Sequence, residues 1–317
     1  MGKIHHPVGG ESRSSIYQEV TDRIIRELEQ GKVPWVQPWG QAKAELALPK
    51  NASSGRCYSG VNILILWGAV IERGFASQQW LTFRQALELG GNVRRGEHGT
   101  TVCYADRFIP KSEIERAAKD GNEPEAVPFL KRFTLFNVAQ CEGLPERLHG
   151  VCEPVPEREI APHAEALIAA TRADFRIGGA RAFYVPSGDY IQVPPQPAFF
   201  DQINYYRTCF HELGHWSGAA HRLDRDLKGG FGSKSYAREE LVAEMGSAFI
   251  CATLGIVPTV RHADYLGSWL EVLREDNHAI FRATSQASKA ADFILAFGGA
   301  ASWAVALDRA DAMEVVA

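Results

Sequence analysis

The sequence predicts an α+β fold in two domains: a small mixed α/β domain over residues 1–150, and a mainly helical domain with a small antiparallel sheet over residues 151–317. Three observations support this prediction. Apolar residues recur at helical spacing in several long segments, which is typical of amphipathic helices. Short runs rich in β-branched and aromatic residues indicate strands. Residues 144–162 contain four prolines and several charges, a composition that favours a domain boundary.

The N-terminal half begins with a helical pattern in which an apolar residue recurs every four positions from Ile16 to Leu28. Ser14 or Ser15 precedes this pattern as a candidate cap, and Gly31 follows it as a helix end. The rest of this half is predicted to contain helices over 62–71 and 79–89, a loop over 51–60, and strands over 101–109 and 131–139. The polar and acidic residues 110–128 are predicted to form a surface insertion.

The C-terminal half is richer in helical patterns. Helices are predicted over 163–173, 202–218, 236–254, 265–274, 279–296 and 303–312. A β-hairpin is predicted from two short strands, 182–185 and 190–193, which flank the turn sequence Pro186-Ser187-Gly188-Asp189.

Composition excludes several classes of protein. Hydrophobic residues make up 45% and charged residues 23% of the chain, as in ordinary globular proteins. The most apolar run, 61–71, is about half as long as a membrane-spanning helix. The N-terminus lacks the apolar region of a secretory signal, so we expect no membrane partner. The six cysteines form no Cys-x-x-Cys pair, which fits a reducing cytoplasm better than a disulfide framework.

Charge and aromatic residues distinguish the N-terminal half. Residues 1–150 contain 19 Lys and Arg against 17 Asp and Glu, whereas the remaining residues contain 15 against 21. Aromatic side chains also alternate there with Arg and Asn, a mixture that suits single-stranded nucleic acid because rings stack on bases and cations meet phosphates. The candidate contact residues are Trp35, Trp39, Arg56, Tyr58, Asn62, Trp80, Phe83, Arg94 and Arg95. Trp and Phe are also common core residues, so the pattern alone leaves both interpretations open.

The most specific motif is His211-Glu212-Leu213-Gly214-His215, which reads His-Glu-x-x-His. Two helical residues four apart lie about 40° apart around the axis and about 6 Å apart along it, so both imidazoles can reach one metal ion. Glu212 then lies beside the metal, where a general base can accept a proton from a water molecule. This is the signature of zinc metallopeptidases, and Zn²⁺ is the expected cofactor, with Mn²⁺ as an alternative. A surface helix with two unrelated histidines is the other interpretation.

A catalytic zinc takes three protein ligands, so one ligand remains to be found. His221 has the spacing of a metzincin ligand, but the required methionine turn is missing because Met245 lies within a predicted helix. Glu240 is the alternative. Glu244 lies one helical turn beyond it, where a carboxylate can hold the second nitrogen of a ligand imidazole. We favour Glu240 because one helix then explains both acids.

Two features of a peptidase site stay open at this level. The group that stabilises negative charge on the substrate is unassigned, with Tyr236, His262 and Tyr265 as candidates. A substrate peptide is expected to add as an extra strand near 190–193.

Several motifs, taken in order and spacing, resemble one known family. In the first half they are Val33-Pro34-Trp35 and the stretches 54–62, 80–86, 93–97 and 136–140. In the second half they are the stretches 211–218, 221–223 and 236–244. The chain is similar over nearly its whole length to the plasmid- and phage-associated ArdC-type antirestriction proteins.

This resemblance implies a single-stranded-DNA-binding domain joined to a zincin-like metallopeptidase domain, with His211, His215 and Glu240 as metal ligands. It also implies protection of incoming plasmid DNA from host restriction during conjugation. The expected partners are single-stranded DNA and a protein substrate, either a DNA-associated protein or a component of a restriction system. The alternative is a non-proteolytic protector of single-stranded DNA whose metal is structural or vestigial. The intact Glu212 favours the peptidase, because a structural metal needs no base beside it.

Overall fold

Within residues 15–36, 46–148, 161–230, 232–259 and 265–299, which the computed structural model describes, the chain forms nine α-helices and nine β-strands. This mixture confirms the predicted α+β class. The predicted helix over 303–312 lies outside the described residues. None of the helices in the described part of the chain is long and apolar enough to cross a bilayer.

The N-terminal half combines four helices with two sheets. The helices are α1 (Ile16–Glu29), α2 (Val61–Arg73), α3 (Phe83–Glu88) and α4 (Lys111–Asp120). The strands are β1 (Lys50–Asn51), β2 (Gln79–Leu81), β3 (Asn92–Val93), β4 (Thr100–Phe108), β5 (Val127–Asn137) and β6 (Cys141–Glu142). Four strands form a sheet of order β1-β2-β5-β4, and β3 pairs with β6. The long antiparallel β4–β5 pair confirms the two predicted strands.

Two segments of this half differ from the prediction. The predicted helix over 79–89 is divided, because 79–81 pairs with β5 and the helix begins only after Thr82. The Thr82 side chain accepts a hydrogen bond from the backbone of Gln85, whose side chain accepts one from Thr82 in return, a capping box that fixes the helix start. The insertion at 110–128 contains α4, which an ion pair between Glu113 and Arg116 supports and which ends at Gly121 in the left-handed region.

The C-terminal half contains five helices and one small sheet. The helices are α5 (Pro162–Thr171), α6 (Ile203–Ser217), α7 (Lys234–Thr253), α8 (Leu266–Glu275) and α9 (Ala279–Leu295). The strands are β7 (Asp174–Ile177), β8 (Phe183–Val185) and β9 (Tyr190–Val193), in the order β7-β9-β8. The predicted hairpin is β8–β9. The sheet is mixed and not purely antiparallel, because β7 follows α5 and joins β9 in parallel.

Helix α7 is buried along most of its length. Ser233 caps its start by accepting a hydrogen bond from the backbone of Tyr236. A hydrophobic core surrounds the helix and includes residues of α1 and α2 as well as α6, α8 and α9. The two halves of the sequence therefore share one core in the described part of the chain.

Candidate metal centre and nucleic-acid interface

Helices α6 and α7 bring three potential metal ligands together. His211 and His215 lie one turn apart on α6, and Glu240 faces them from α7. The two Nε2 atoms are 3.2 Å apart. Glu240 places one oxygen 3.5 Å from Nε2 of His211 and the other 3.5 Å from Nε2 of His215. In the described residues, these three side chains form a group able to hold a metal ion.

The spacing of this group fits a small divalent cation. Nitrogen and oxygen ligands about 2.0–2.1 Å from a tetrahedral zinc lie about 3.3–3.4 Å from one another. The three measured separations, 3.2, 3.5 and 3.5 Å, are close to that value. Two imidazoles and one carboxylate are also the ligands of many catalytic zinc sites. The residues present therefore suit the predicted cofactor.

The location of the His221 side chain in the structure excludes it from the metal group. Its side chain is 64% exposed, and its Nε2 lies 3.3 Å from Asp189 in the turn between β8 and β9. Arg222 also contacts both His221 and Asp189. The metzincin spacing of His221 thus reflects a surface cluster, and Glu240 is the third member of the metal group, as favoured from the sequence.

Each imidazole of the metal group has an acid on its other nitrogen. Glu244 of α7 lies 3.8 Å from Nδ1 of His211, on the side predicted for an orienting carboxylate. Glu239 lies closer to His215 and accepts a hydrogen bond from its Nδ1 at 3.2 Å. Sequence reasoning missed Glu239. The sequence feature that could have indicated it is the adjacent pair Glu239-Glu240. Two consecutive acids on one helix can contact the two nitrogens of one imidazole, as they do at His215.

The acids and imidazoles of the metal group shift one another's pKa values. Burial alone would lower the pKa of His215, but hydrogen bonds with Glu239 and Glu240 outweigh it and raise this pKa to about 10. Burial raises the pKa of Glu240, and the two histidines lower it well below its usual range. A metal ligand must be a neutral imidazole, so a cation and a second proton compete for His215.

Gly214 allows α6 and α7 to approach at this point. A Cβ atom at Gly214 would lie 3.1 Å from Cα and 3.4 Å from Cβ of Ala243. Contacts this short are rare, so a side chain would push the helices apart by a few tenths of an ångström. Because Ala243 lies between Glu240 and Glu244, this approach brings the acids of α7 within reach of the histidines of α6.

A cleft of about 240 Å³ lies beside the metal group. Glu212 lines it together with Tyr236 and residues of β8. The Tyr236 hydroxyl accepts a hydrogen bond from Tyr265 at 3.5 Å. Burial, Tyr265 and Glu240 all raise the pKa of Tyr236, so this hydroxyl keeps its proton. Of the three candidates for stabilising negative charge, Tyr236 lines the cleft, Tyr265 lies behind it, and His262 lies outside the described residues.

Strand β8 forms the edge of the small sheet at this cleft. The expected site of strand addition at 190–193 needs correction, because β9 pairs with β7 on one side and β8 on the other. Among the described strands, only β9 pairs with β8, and Phe183 and Tyr184 of β8 line the cleft. The edge available to an extended peptide is therefore that of β8.

Several of the predicted nucleic-acid contact residues have structural roles in this conformation. Trp35 and Trp80 are fully buried, so neither ring can stack on a base in this conformation. The Asn62 side chain makes two hydrogen bonds with the backbone of Cys103 at 2.7 and 2.8 Å and thereby joins α2 to β4. Tyr58 is half-buried and accepts a hydrogen bond from Asn51. Trp39 lies outside the described residues.

The remaining candidates are exposed and lie around one small core. The side chains of Arg56, Phe83, Arg94 and Arg95 are exposed. The segments that carry them surround a second hydrophobic cluster, which contains Ala52, Leu81, Ala86, Val138, Cys141, Leu144 and Leu148. Leu87, which sequence reasoning missed, lies one turn from Phe83 on α3, and both side chains are 50% exposed. We call Arg56, Phe83, Leu87, Arg94 and Arg95 the α3 surface.

Two family models match the chain. Residues 162–286 match a model described as zincin-like metallopeptidase. Residues 14–136 match a model described as the N-terminal domain of anti-restriction factor ArdC.

Curated relatives include one of similar length. An uncharacterized protein, y4eC of Sinorhizobium fredii, is 41% identical, and the match covers 90% of this chain and 92% of the relative. Two Escherichia coli proteins named DNA primase TraC are 38% and 35% identical over 90% of this chain. The chain spans only 28% and 20% of their lengths.

Two solved structures of one protein are also similar to this chain. The metal-free crystal structure of the antirestriction ArdC protein from the R388 plasmid is 40% identical, with a TM-score of 0.76. The match covers 90% of this chain and 98% of that one. The Mn(II)-bound structure of the R388 protein is 39% identical, with a TM-score of 0.75, and the match covers 90% of this chain and 99% of that one.

Proposed function

This chain belongs to the ArdC family of antirestriction proteins and carries its zincin-like metallopeptidase domain, and from that premise we propose that it binds single-stranded DNA and cleaves a protein substrate at the metal centre. The DNA-binding part is residues 1–150 and the peptidase part is residues 151–317. The biological role is protection of incoming plasmid DNA from host restriction during conjugation. Zn²⁺ is the proposed cation, with Mn²⁺ as the alternative because a solved relative holds Mn(II).

One observation carries the peptidase proposal: Glu212, which is not a member of the metal group, lines the same cleft as His211, His215 and Glu240. When bound to these three residues, a divalent cation would polarise a substrate carbonyl and lower the pKa of a water molecule. The Glu212 carboxylate accepts the proton of the attacking water and returns it to the departing amine. A metal that served only to hold α6 to α7 would need no such carboxylate in the cleft.

Two other parts of the cleft support peptide binding. The edge of β8 offers backbone groups to an extended peptide, which would pair with it as an additional strand. The Tyr236 hydroxyl faces the same space and can donate a hydrogen bond to the carbonyl oxygen as negative charge develops there. We assign this role to Tyr236 rather than to Tyr265, which supports the Tyr236 hydroxyl from behind.

The α3 surface supports the DNA-binding proposal. Phe83 supplies an exposed ring for a base, and Arg56, Arg94 and Arg95 supply cations for phosphates. This mode of binding is indifferent to base sequence, since every base has a face on which to stack. It suits a protein that meets any incoming strand.

Glu212→Gln tests the peptidase proposal because it keeps the size of the side chain and removes the base. Wild type and variant are compared for zinc content, for autoproteolysis, and for cleavage of unstructured casein with and without a thymidine oligonucleotide. Glu115→Gln, at an exposed acid of α4 away from both the cleft and the α3 surface, serves as the control. The proposal predicts that Glu212→Gln binds zinc normally and cleaves at least about 100-fold more slowly. Cleavage by this variant at the wild-type rate would contradict the proposed role of Glu212 as the general base.

A second experiment connects the peptidase to protection. Plasmid transfer into a restricting and a non-restricting recipient is compared for donors that carry the wild type, Glu212→Gln or Glu115→Gln. Loss of protection only with Glu212→Gln supports a proteolytic role. Full protection by a variant that no longer cleaves would favour the non-proteolytic protector instead.

A further inference from the structure

Arg225, in the loop after α6, joins the two helices of the metal centre from behind. Its side chain is only 5% exposed. Nε donates to one oxygen of Glu239 at 3.0 Å and Nη2 donates to the other at 2.7 Å. The same guanidinium donates to the backbone oxygen of Gly214 at 2.6 Å and to the Ser217 hydroxyl at 2.9 Å. One buried side chain thus holds α6 at two points and α7 at Glu239.

Glu239 transmits this contact to the metal group. Its Oε1 accepts hydrogen bonds from both Arg225 and Nδ1 of His215. Because Nδ1 carries the donated hydrogen, Nε2 of the same ring is directed toward Glu240 and His211. Without Arg225, the Glu239 carboxylate would lose the fork that fixes its plane, and the His215 ring would lose its orientation.

We propose that Arg225 is a positioning residue for the metal centre, which acts through Glu239 to hold the His215 imidazole in the geometry that binds the cation. This inference rests on the metal centre of the proposed function. The role requires a guanidinium, because its planar fork meets both carboxylate oxygens at once, whereas a lysine ammonium is a point charge. Contacts behind a metal ligand typically change metal affinity by about 10–100-fold when they are removed.

The position of Arg225 also links the metal to the wall of the cleft. Asp226 and Leu227, the next residues of the loop, line the same cleft as the metal group. A change at Arg225 is therefore expected to raise KM for a peptide as well as to weaken metal binding. A purely structural residue of the loop would affect neither metal affinity nor the geometry of the bound metal.

Arg222 provides a matched control in the same loop. Its side chain is 8% exposed, and its Nε donates to the backbone oxygen of Trp216 at 2.6 Å. It also pairs with an acid through two nitrogens, but that acid is Asp189, in the turn between β8 and β9. Replacing Arg222 removes comparable buried contacts between the loop and α6 without touching Glu239.

The experiment compares Arg225→Lys, Glu239→Gln and Arg222→Lys with the wild type in the full chain. Zinc affinity is measured by competition with a chromophoric chelator, and ligand geometry by the visible absorption of Co²⁺ bound in place of zinc. Thermal unfolding of the metal-free proteins measures fold integrity. We expect about 10–100-fold weaker zinc binding and an altered Co²⁺ spectrum for Arg225→Lys and Glu239→Gln, and less than about threefold change for Arg222→Lys.

Several outcomes would overturn the inference. Unchanged zinc affinity in Arg225→Lys would do so, and so would equal weakening in Arg225→Lys and Arg222→Lys. If Arg225→Lys fails to fold, Glu239→Gln carries the test, because it keeps the volume of Glu239 and removes the charge that Arg225 holds. This test can fail independently of the proposed function. If the wild type binds zinc but cleaves no peptide, the peptidase proposal is contradicted and the proposed role of Arg225 in metal binding still stands.

Discussion

Trp67 and Phe249 meet edge to face, with ring centroids 5.8 Å apart. Trp67 belongs to α2 in the N-terminal half, and Phe249 belongs to α7, the helix that carries Glu240. A similar contact joins Trp35 to Trp269 of α8, with centroids 5.3 Å apart. Helix α2 of the half proposed to bind DNA is therefore packed directly on α7, the helix that carries Glu240.

Replacing Trp67 with Ala tests whether the two halves unfold together. The fully buried ring packs on α7, and its Nε1 donates to the backbone of Ala47 at 3.0 Å. Loss of a buried Trp side chain costs about 3–5 kcal/mol of unfolding free energy. We expect one cooperative transition at lower temperature, seen equally by circular dichroism and by zinc release. Phe200→Ala, at a fully exposed ring, should leave the transition unchanged. Two separate transitions, with zinc release unaffected, would contradict this coupling.

Helix packing at Gly214 gives a second prediction, on metal affinity. The Cβ atom of Gly214→Ala would lie 3.1 Å from Cα of Ala243, so α7 and Glu240 must move away from the histidines. We expect zinc affinity to fall about 10-fold, as measured by chelator competition. Gly246→Ala is the control, since its nearest neighbours would be at an ordinary 3.6 Å. Equal effects from the two substitutions would mean that the approach at Gly214 does not set the geometry of the site.

The Tyr236 hydroxyl gives a third prediction, on catalysis. Loss of one hydrogen-bond donor to a developing oxyanion lowers kcat by about 100–1,000-fold. Tyr236→Phe is therefore expected to lower kcat for peptide cleavage strongly and to change KM little. Tyr265→Phe removes only the supporting hydroxyl and should have a smaller effect. Zinc affinity is measured in both variants, because Tyr236 also bonds to Glu240. If Tyr236→Phe cleaves peptides at the normal rate, another group stabilises the charge.

The charge of the cleft gives a fourth prediction, on substrate preference. Among the described residues that line it, the acids are Glu212, Asp226, Glu239 and Glu240, and none is Lys or Arg. Asp226 is exposed and lies outside the metal group, so it is available to a basic substrate side chain. Exposed ion pairs contribute about 0.2–1 kcal/mol, which corresponds to about a 1.4- to fivefold preference for peptides with Lys or Arg near the scissile bond.

Asp226→Asn should remove that preference without lowering the rate on neutral peptides. Asp224→Asn is the control, because Asp224 belongs to the same loop but lines the neighbouring cavity. The measurement is kcat/KM on matched peptide pairs that differ only by Lys against Gln. A preference that survives in Asp226→Asn would place its origin elsewhere in the cleft.

The metal centre is the part of this protein that the sequence predicts best. Two histidines four apart and two acids four apart define helical faces by spacing alone, so the sequence predicts His211, His215, Glu240 and Glu244 as members of one site. Glu239 was missed although it stands beside Glu240, because adjacent acids are also common on solvated helix faces and its second partner, Arg225, lies in a loop without periodicity. Sequence alone favoured Glu240 over His221 and left both open, whereas the structure places His221 in contact with Asp189, away from the metal group.

The nucleic-acid interface was harder to predict, because aromatic residues serve both cores and surfaces. Trp35 and Trp80 belong to the core shared by the two halves, and no local pattern distinguishes them from exposed rings. From the sequence, Asn62 is a reasonable candidate for a polar contact with nucleic acid. Its hydrogen bonds with the backbone of β4 are visible only in the structure. The sequence also did not predict that β8 forms the edge of the sheet at the cleft. That arrangement depends on β7, which follows α5 and pairs with the other side of β9.

Phe83 on the α3 surface gives the last prediction, on DNA binding. A base stacked on an aromatic side chain contributes about 1–3 kcal/mol, so Phe83→Ala is expected to weaken binding of a thymidine oligonucleotide about 5- to 150-fold. Arg95→Ala removes one cation and should lower the dependence of log affinity on log salt by about 0.7. Both quantities are measured by fluorescence anisotropy between about 50 and 200 mM salt, a range over which such contacts are sensitive. Phe200→Ala and Glu212→Gln should bind DNA like the wild type, since neither residue lies on the α3 surface. If Phe83→Ala and Arg95→Ala also bind like the wild type, the DNA-binding surface lies elsewhere on the chain, and the exposed Phe83–Leu87 pair serves another partner.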